Sequence, residues 1–164
     1  MSDFILFDEE FHQIKDVIGR LKADAQAKVV FIVDKNGQQI AAQGEIENLD
    51  TTSLASLTAG NVAATDGLAR LIGEKEFSIL FHEGEKDNIH ISIVAQRVIL
   101  VVIFDERSSL GLVRLRVKKA SGELNDVFAR IMSKVERERT AAGAAFESPF
   151  AEITDDDIDS LFSE

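Results

Sequence analysis

The first third of the chain carries two hydrophobic patterns of different period. Apolar residues recur every three or four positions over residues 8–25, which predicts an amphipathic helix. An apolar run at 29–33 is then followed by Asn36-Gly37 and a more polar run. Because Asn-Gly suits a type I′ turn, in which both central residues have positive φ, the second pattern predicts a β-hairpin.

The middle of the chain predicts one helix and three strands. The helix spans about 51–74, with Asp50 or Thr51 as N-cap and Gly73 at its C-terminal end. Residues 77–81 are a strand candidate, and residues 88–94 alternate as if one face were buried. Residues 98–104 are apolar throughout, so this strand must be covered on both sides.

A last amphipathic helix is predicted over about 109–137, with Ser108 or Ser109 as its cap. The element order α-β-β-α-β-β-β-α, joined by tight hairpins, predicts the α/β class. The expected architecture is a sandwich in which a mostly antiparallel five-stranded sheet has helices on both faces.

The C-terminal end differs in composition. Residues 138–149 are small, polar and contain the only proline, which predicts a flexible linker after a domain at 1–137. Residues 150–164 are acidic and amphipathic, with Thr154 and Asp157 resembling a capping box. This segment is predicted to be a partner-docking helix, and the alternative is a disordered acidic tail. Its apolar anchors are Phe150, Ile153, Ile158, Leu161 and Phe162.

The central helix is unusual because two of its neighbouring faces carry no charged and almost no polar side chains. At 100° per residue, one sector holds Leu54, Leu57, Asn61, Leu68 and Ile72, which predicts the stripe that meets the sheet. A neighbouring sector, the small-residue stripe, holds Ser56, Ala59, Gly60, Ala63 and Gly67. This stripe is either packed closely within its own domain or a flat surface that receives another protein, and we favour the second interpretation because an uncontacted Gly/Ala stripe would cost helix stability for nothing.

Charge and composition exclude several classes of function. The formal net charge of −11 argues against nucleic acid and anionic membrane surfaces as partners. There is no cysteine, and the longest apolar run, residues 98–104, is far shorter than a membrane helix requires. The N-terminus has acids where a signal peptide has basic residues. We therefore expect a cytoplasmic protein.

The chain also lacks recognisable catalytic chemistry. It has no P-loop and no G-x-G-x-x-G motif, and His12, His82 and His90 do not form a metal-binding pair. His82-Glu83 is predicted to lie in a loop. Lys118-Lys119 could bind an acidic partner, although a solvated helix face is the commoner explanation. We expect no catalytic, cofactor or metal site, and no enzymatic activity of its own.

Two long segments and one short segment resemble the roadblock (dynein light chain type) family: DTTSLASLTAGNVAATDGLARLIGE and VILVVIFDERSSLGLVRLRVKKAS, with FHEG between them. The resemblance implies a homodimer that extends the sheet and sets the two central helices side by side. It further implies that two copies bind one Ras-like small GTPase and raise its GTP hydrolysis without an arginine finger, in bacterial polarity and motility. The small-residue stripe would be the GTPase-binding or dimer face, other polarity proteins would be further partners, and a cell pole would be the expected location.

Two other classes of function remain open from the sequence. A scaffold could tether a GTPase or polarity protein without changing its turnover. An enzyme would need a cluster of reactive residues, and the sequence offers none.

Overall fold

The computed structural model describes residues 7–151, with side chains through residue 141. Two compact units are distinguished, one up to Ala129 and the other from Arg130 onward. The elements are α1 (Asp8–Asp24), β1 (Val29–Asp34), β2 (Gln39–Gly44), α2 (Thr51–Leu71), β3 (Ile79–Glu83), β4 (Asn88–Val94), β5 (Val98–Phe104) and α3 (Leu110–Ala151).

The five strands form one sheet in the order β2-β1-β5-β4-β3, with every pairing antiparallel. The two apolar strands, β1 and β5, lie at its centre and are buried at every position, as strands covered on both faces must be. Helix α2 packs on one face, where Phe31 and Val101 belong to its core. Helix α1 contacts β1 and β2, and the Arg20–Glu123 ion pair joins it to α3. The predicted fold class is confirmed.

The hairpin between β1 and β2 is present, but its predicted turn type is wrong. Gly37 alone has a positive φ, of +91°, whereas a type I′ turn needs two such residues. Asp34 instead organises a longer turn, because its carboxylate accepts hydrogen bonds from the amides of Asn36 and Gln38, each at 2.9 Å. The aspartate side chain therefore overrides the Asn-Gly preference.

The turn from β4 to β5 has the geometry that was expected at the first hairpin. Ala95 and Gln96 have φ values of +55° and +57°, and the amide of Arg97 donates to the carbonyl of Val94 at 3.1 Å. Neither residue is a glycine or asparagine, so no residue preference indicated this turn type.

Two element boundaries also differ from the prediction. Strand β3 spans Ile79–Glu83 rather than 77–81, because its pairing with β4 runs from Ile79 opposite Ser92 to Glu83 opposite Asn88. His82 and Glu83 therefore end a strand and do not lie in a loop. Helix α3 continues through Ala151, where a linker was predicted from residue 138. Alanine, glutamate and arginine favour helix strongly enough to outweigh a single glycine and a proline near the helix end.

Both faces of β4 are buried, although the alternating pattern predicted one. His90 is 1% exposed and Ser92 is 5% exposed, on the face opposite Ile91. Within the described residues, neither ring nitrogen of His90 has a hydrogen-bond partner. Burial lowers the pKa of His90, and the positive charge of Arg114 on α3 lowers that pKa further. The strand neighbours of His90, Phe81 and Val102, are uncharged.

We expect His90 to make the fold less stable below pH 6.5. An unfolded histidine takes up a proton near that pH, whereas the folded His90 stays neutral to a lower pH. Its contribution to the free energy of unfolding is therefore complete above pH 6.5 and declines as the pH falls, by up to about 1.4 kcal/mol per unit. Urea unfolding at pH 7.5 and 5.5 should show a smaller loss for His90→Leu than for the native chain. Equal losses would refute the assignment.

Candidate functional site

Helix α2 is defined at both ends by capping interactions. At its start, the carboxylate of Asp50 accepts hydrogen bonds from the Ser53 hydroxyl at 2.7 Å and the Ser53 amide at 3.0 Å. The same two bonds lower the pKa of Asp50. At its end, Gly73 has φ +84° and its amide donates to Arg70, while the Glu74 amide donates to Ala69. The Asp50 hydrogen bonds confirm the predicted N-cap. The Schellman arrangement at Gly73 confirms the predicted C-terminal glycine.

The small side chains of α2, joined by Leu54 alone of its leucines, pack against the sheet. Ala55, Ala59 and Val62 lie in one cluster with the aliphatic residues of β1, β4 and β5. The predicted core stripe is wrong, since Leu57, Leu68 and Ile72 are 72%, 60% and 69% exposed, while Leu54 and Asn61 are half-buried. The residues of α2 that are buried, Ala55, Thr58, Ala59, Val62 and Ala69, are all small or of medium size and pack against a sheet surface that includes Phe31. The helix is therefore rotated by roughly one residue from the predicted orientation.

The small-residue stripe divides into an inner and an outer part. Ala59 is buried and belongs to the core, so its side chain is not accessible to a partner. Ser56 is exposed but lies beside the first hairpin, where a Cβ added to Gly37 would sit 3.2 Å from the Cα of Ser56. Part of the stripe therefore serves close packing within the domain, as the alternative interpretation held.

The outer part of the stripe is open. Gly60, Ala63 and Gly67 are exposed, and a Cβ added to either glycine would meet nothing within 4 Å. This surface has almost no side chains that a neighbouring backbone would have to displace.

A second exposed surface of α2, which we call the leucine face, was not predicted. It consists of Leu57, Leu68, Leu71 and Ile72, and Leu71 is 83% exposed. Four large aliphatic side chains so close together form the kind of apolar patch that marks an interaction site. One signal was available in the sequence: alanines and leucines surround this helix more completely than a single buried face requires.

The leucine face adjoins an edge of the sheet. Strand β3 pairs with β4 on one side and is terminal in the strand order. The amide nitrogen of the Asn61 side chain lies 2.9 Å from Nε2 of His82, which ties α2 to β3. Leu57 and Leu68 fall on the same side of the helix as Asn61. Ile79, at the start of β3, is 51% exposed. The apolar helix face therefore lies close to an edge strand at the point where Asn61 meets His82.

Other residues singled out from the sequence are separate from this surface. Arg114, Lys118 and Lys119 are exposed on α3. Ser109 caps α3, because its hydroxyl accepts a hydrogen bond from the Leu112 amide at 3.2 Å. The side chain of Phe150, and all of Ile153, Ile158, Leu161 and Phe162, lie outside the described residues. No helix within the part that the structure describes is long and apolar enough to cross a membrane.

Comparison with known proteins identifies the class. The Roadblock/LC7 domain model matches residues 13–104, and the chain belongs to that family. It is similar to Myxococcus xanthus MglB at 64% identity, over 75% of this chain and 92% of that one, with a TM-score of 0.73. It is also similar to the gliding protein MglB from Thermus thermophilus, at 30% identity over 73% and 90% of the two chains, with a TM-score of 0.69. No curated protein matches the chain.

A third related structure carries the description "MglB with tetrameric arrangement". It is 28% identical over 75% of this chain and 93% of that one, with a TM-score of 0.71. The expected resemblance to the roadblock family is confirmed, and within that family the chain is similar to MglB.

Proposed function

We propose that this protein is a homodimeric activator of GTP hydrolysis by the Ras-like small GTPase MglA, in bacterial cell polarity and gliding motility. Its 64% identity to Myxococcus xanthus MglB carries the proposal. Two copies bind one GTPase, and the protein supplies no arginine finger. Phosphoryl transfer depends mainly on positioning and charge stabilisation, so reorienting the GTPase's own arginine and glutamine is sufficient to raise its turnover.

We assign a different partner to each of the two exposed surfaces of α2. In the proposed dimer, the leucine face and the β3 edge meet their counterparts on the second copy, which covers the apolar side chains and pairs the edge strands. The outer part of the small-residue stripe, Gly60, Ala63 and Gly67, receives the switch loops of the GTPase. A surface without side chains accommodates mobile loops without steric conflict.

Arginines on the open part of the stripe should abolish the stimulation. Both Ala63 and Gly67 are exposed, so the double variant Ala63→Arg, Gly67→Arg should fold and dimerise like the native chain. Single-turnover GTP hydrolysis by MglA measures the effect, and the rate should fall to that of MglA alone. The matched control is Gly111→Arg with Gly122→Arg, two exposed and uncrowded glycines of α3. If the stripe variant stimulates normally, the surface is assigned wrongly.

The same assay tests the scaffold alternative. A scaffold would bind GTP-loaded MglA without changing its hydrolysis rate, whereas an activator raises that rate.

The proposed role of residues 150–164 is to bind MglA away from the nucleotide and tune affinity or exchange. A chain that lacks residues 146–164 should bind MglA more weakly or alter its nucleotide exchange, and unchanged values would favour the disordered-tail alternative.

A further inference from the structure

A cavity of about 670 Å³ lies where β1 begins and where β2 and β5 end, beside the first turn of α2. This volume is within the range of sites that hold small ligands. None of its lining residues belongs to the small-residue stripe or the leucine face. The lining consists of Lys28, Val29, Gly44, Glu45, Glu47, Asn48, Leu49, Leu54, Asp87, Ile89 and Ile103.

The interior of the cavity is apolar. Val29 and Ile103 are buried, Leu54 and Ile89 are half-buried, and Leu49 is 37% exposed. A ligand placed here would remove aliphatic surface from water, which favours an apolar group.

The loop that bounds the cavity is held by backbone hydrogen bonds. The Glu45 amide donates to the Lys28 carbonyl at 2.9 Å, and the Leu49 amide donates to the Ile46 carbonyl at 3.1 Å. The cavity is therefore formed in the free chain, and a ligand would not have to order this segment first.

The charges at the rim are unbalanced. Lys28 is already paired with Asp87 at 3.2 Å. Arg107 is shared between Glu45 at 3.6 Å and Asp105 at 3.0 Å. Glu47 is exposed and makes no ion pair with the described residues. Lys22 is a third cation at this end, because its Cε lies beside Gly44. The four carboxylates, on Glu45, Glu47, Asp87 and Asp105, exceed the three cations by one, so the mouth of the cavity carries a small net negative charge.

We propose that this cavity binds an amphipathic cation, namely an aliphatic group that carries an ammonium or guanidinium a few atoms away. The aliphatic group fills the space between Val29, Leu54 and Ile103, and the positive charge lies at the rim near Glu47. An anionic ligand would have to displace Asp87 from Lys28, and the surplus carboxylates would repel it. This site goes beyond the proposed function, because it lies outside the surfaces assigned to the GTPase and the second copy.

Titration of the full-length chain with two six-carbon probes of opposite charge tests the proposal. At pH 7 and low salt, n-hexylamine should shift the amide NMR signals of residues around the cavity and bind at least about five-fold more tightly than hexanoate. Two further arms, acetyl-Gly-Leu-Arg-Gly-amide and acetyl-Gly-Leu-Glu-Gly-amide, separate a basic protein segment from a free amine as the natural source. Equal binding of both charges, shifts elsewhere on the chain, or no binding at millimolar concentration would overturn the proposal.

Two variants locate the binding in the cavity. Glu47→Lys changes an exposed residue and should keep the fold while removing the preference for hexylamine. Its matched control, Glu74→Lys, changes an exposed glutamate outside the cavity and should leave the preference intact. Leu54→Trp should fill the cavity and abolish binding of every probe. No GTPase is present in these titrations, so their outcome is independent of the proposed function.

Discussion

Replacing Leu57 and Leu68 by glutamate should convert the protein to monomers while leaving the fold of each chain intact. The two leucines are 72% and 60% exposed, and substitutions at exposed helix positions change the free energy of unfolding by about 0.5 kcal/mol or less. In a two-fold symmetric dimer each leucine is buried twice. Burying an aliphatic side chain contributes about 1.5–3 kcal/mol, so the dimer dissociation constant should rise by more than about 100-fold.

Sedimentation velocity over a range of protein concentrations measures this dissociation constant. Leu115→Glu is the matched control, because Leu115 is 61% exposed on α3 and lies outside the proposed interface. Circular dichroism should show the same helix content in all three chains. A double variant that remains dimeric at low micromolar concentration would exclude the leucine face from the interface. In that case the dimer would have to form through another surface.

The sequence predicted the elements well where the hydrophobic pattern was unambiguous. Residues 88–94 and 98–104 were predicted with the bounds that the structure shows. Alternation is typical of a strand, and an apolar run of this length fits a strand better than a helix. The orientation of α2 was not predicted correctly. This helix has alanines on one side and leucines on another, and the shape of the sheet surface decides which side fits. That surface is built by distant strands and is not encoded near residues 51–71.

The wrong orientation predicted for α2 also limited the prediction of the candidate site. Gly60, Ala63 and Gly67 are exposed as expected, whereas Ala59 is buried because the helix is rotated. Three of the four residues of the leucine face, Leu57, Leu68 and Ile72, were assigned to the core, because large aliphatic residues are usually buried in a monomer. A chain that is completed by a partner violates that rule at its interface, so the error lies at the surface that the proposed dimer needs.

The glycines of this chain differ in how much space an added Cβ would have. Of their substitutions by alanine, Gly44→Ala should be the most destabilising. Gly44 has φ +117°, and an added Cβ would lie 2.2 Å from the carbonyl oxygen of Lys28 and 3.0 Å from the Cα of Val29. Both contacts are with backbone, which cannot rotate away. The Lys28 carbonyl also accepts the Glu45 amide, so relieving the overlap would disturb that bond. We expect the free energy of unfolding to fall by about 3 kcal/mol or more.

Gly60→Ala should have the opposite sign and serves as the control in the same urea titrations. Its added Cβ would meet nothing, and alanine favours the helix by about 0.5–1 kcal/mol over glycine. A loss of stability at Gly60, or a change below about 1 kcal/mol at Gly44, would contradict these contacts. A gain at Gly60 means that the fold of the single chain does not require a glycine there. Any need for a glycine at position 60 would then come from a neighbouring molecule. Because Gly60 lies on the surface proposed to receive the GTPase, Gly60→Ala should weaken GTPase stimulation even though it stabilises the protein.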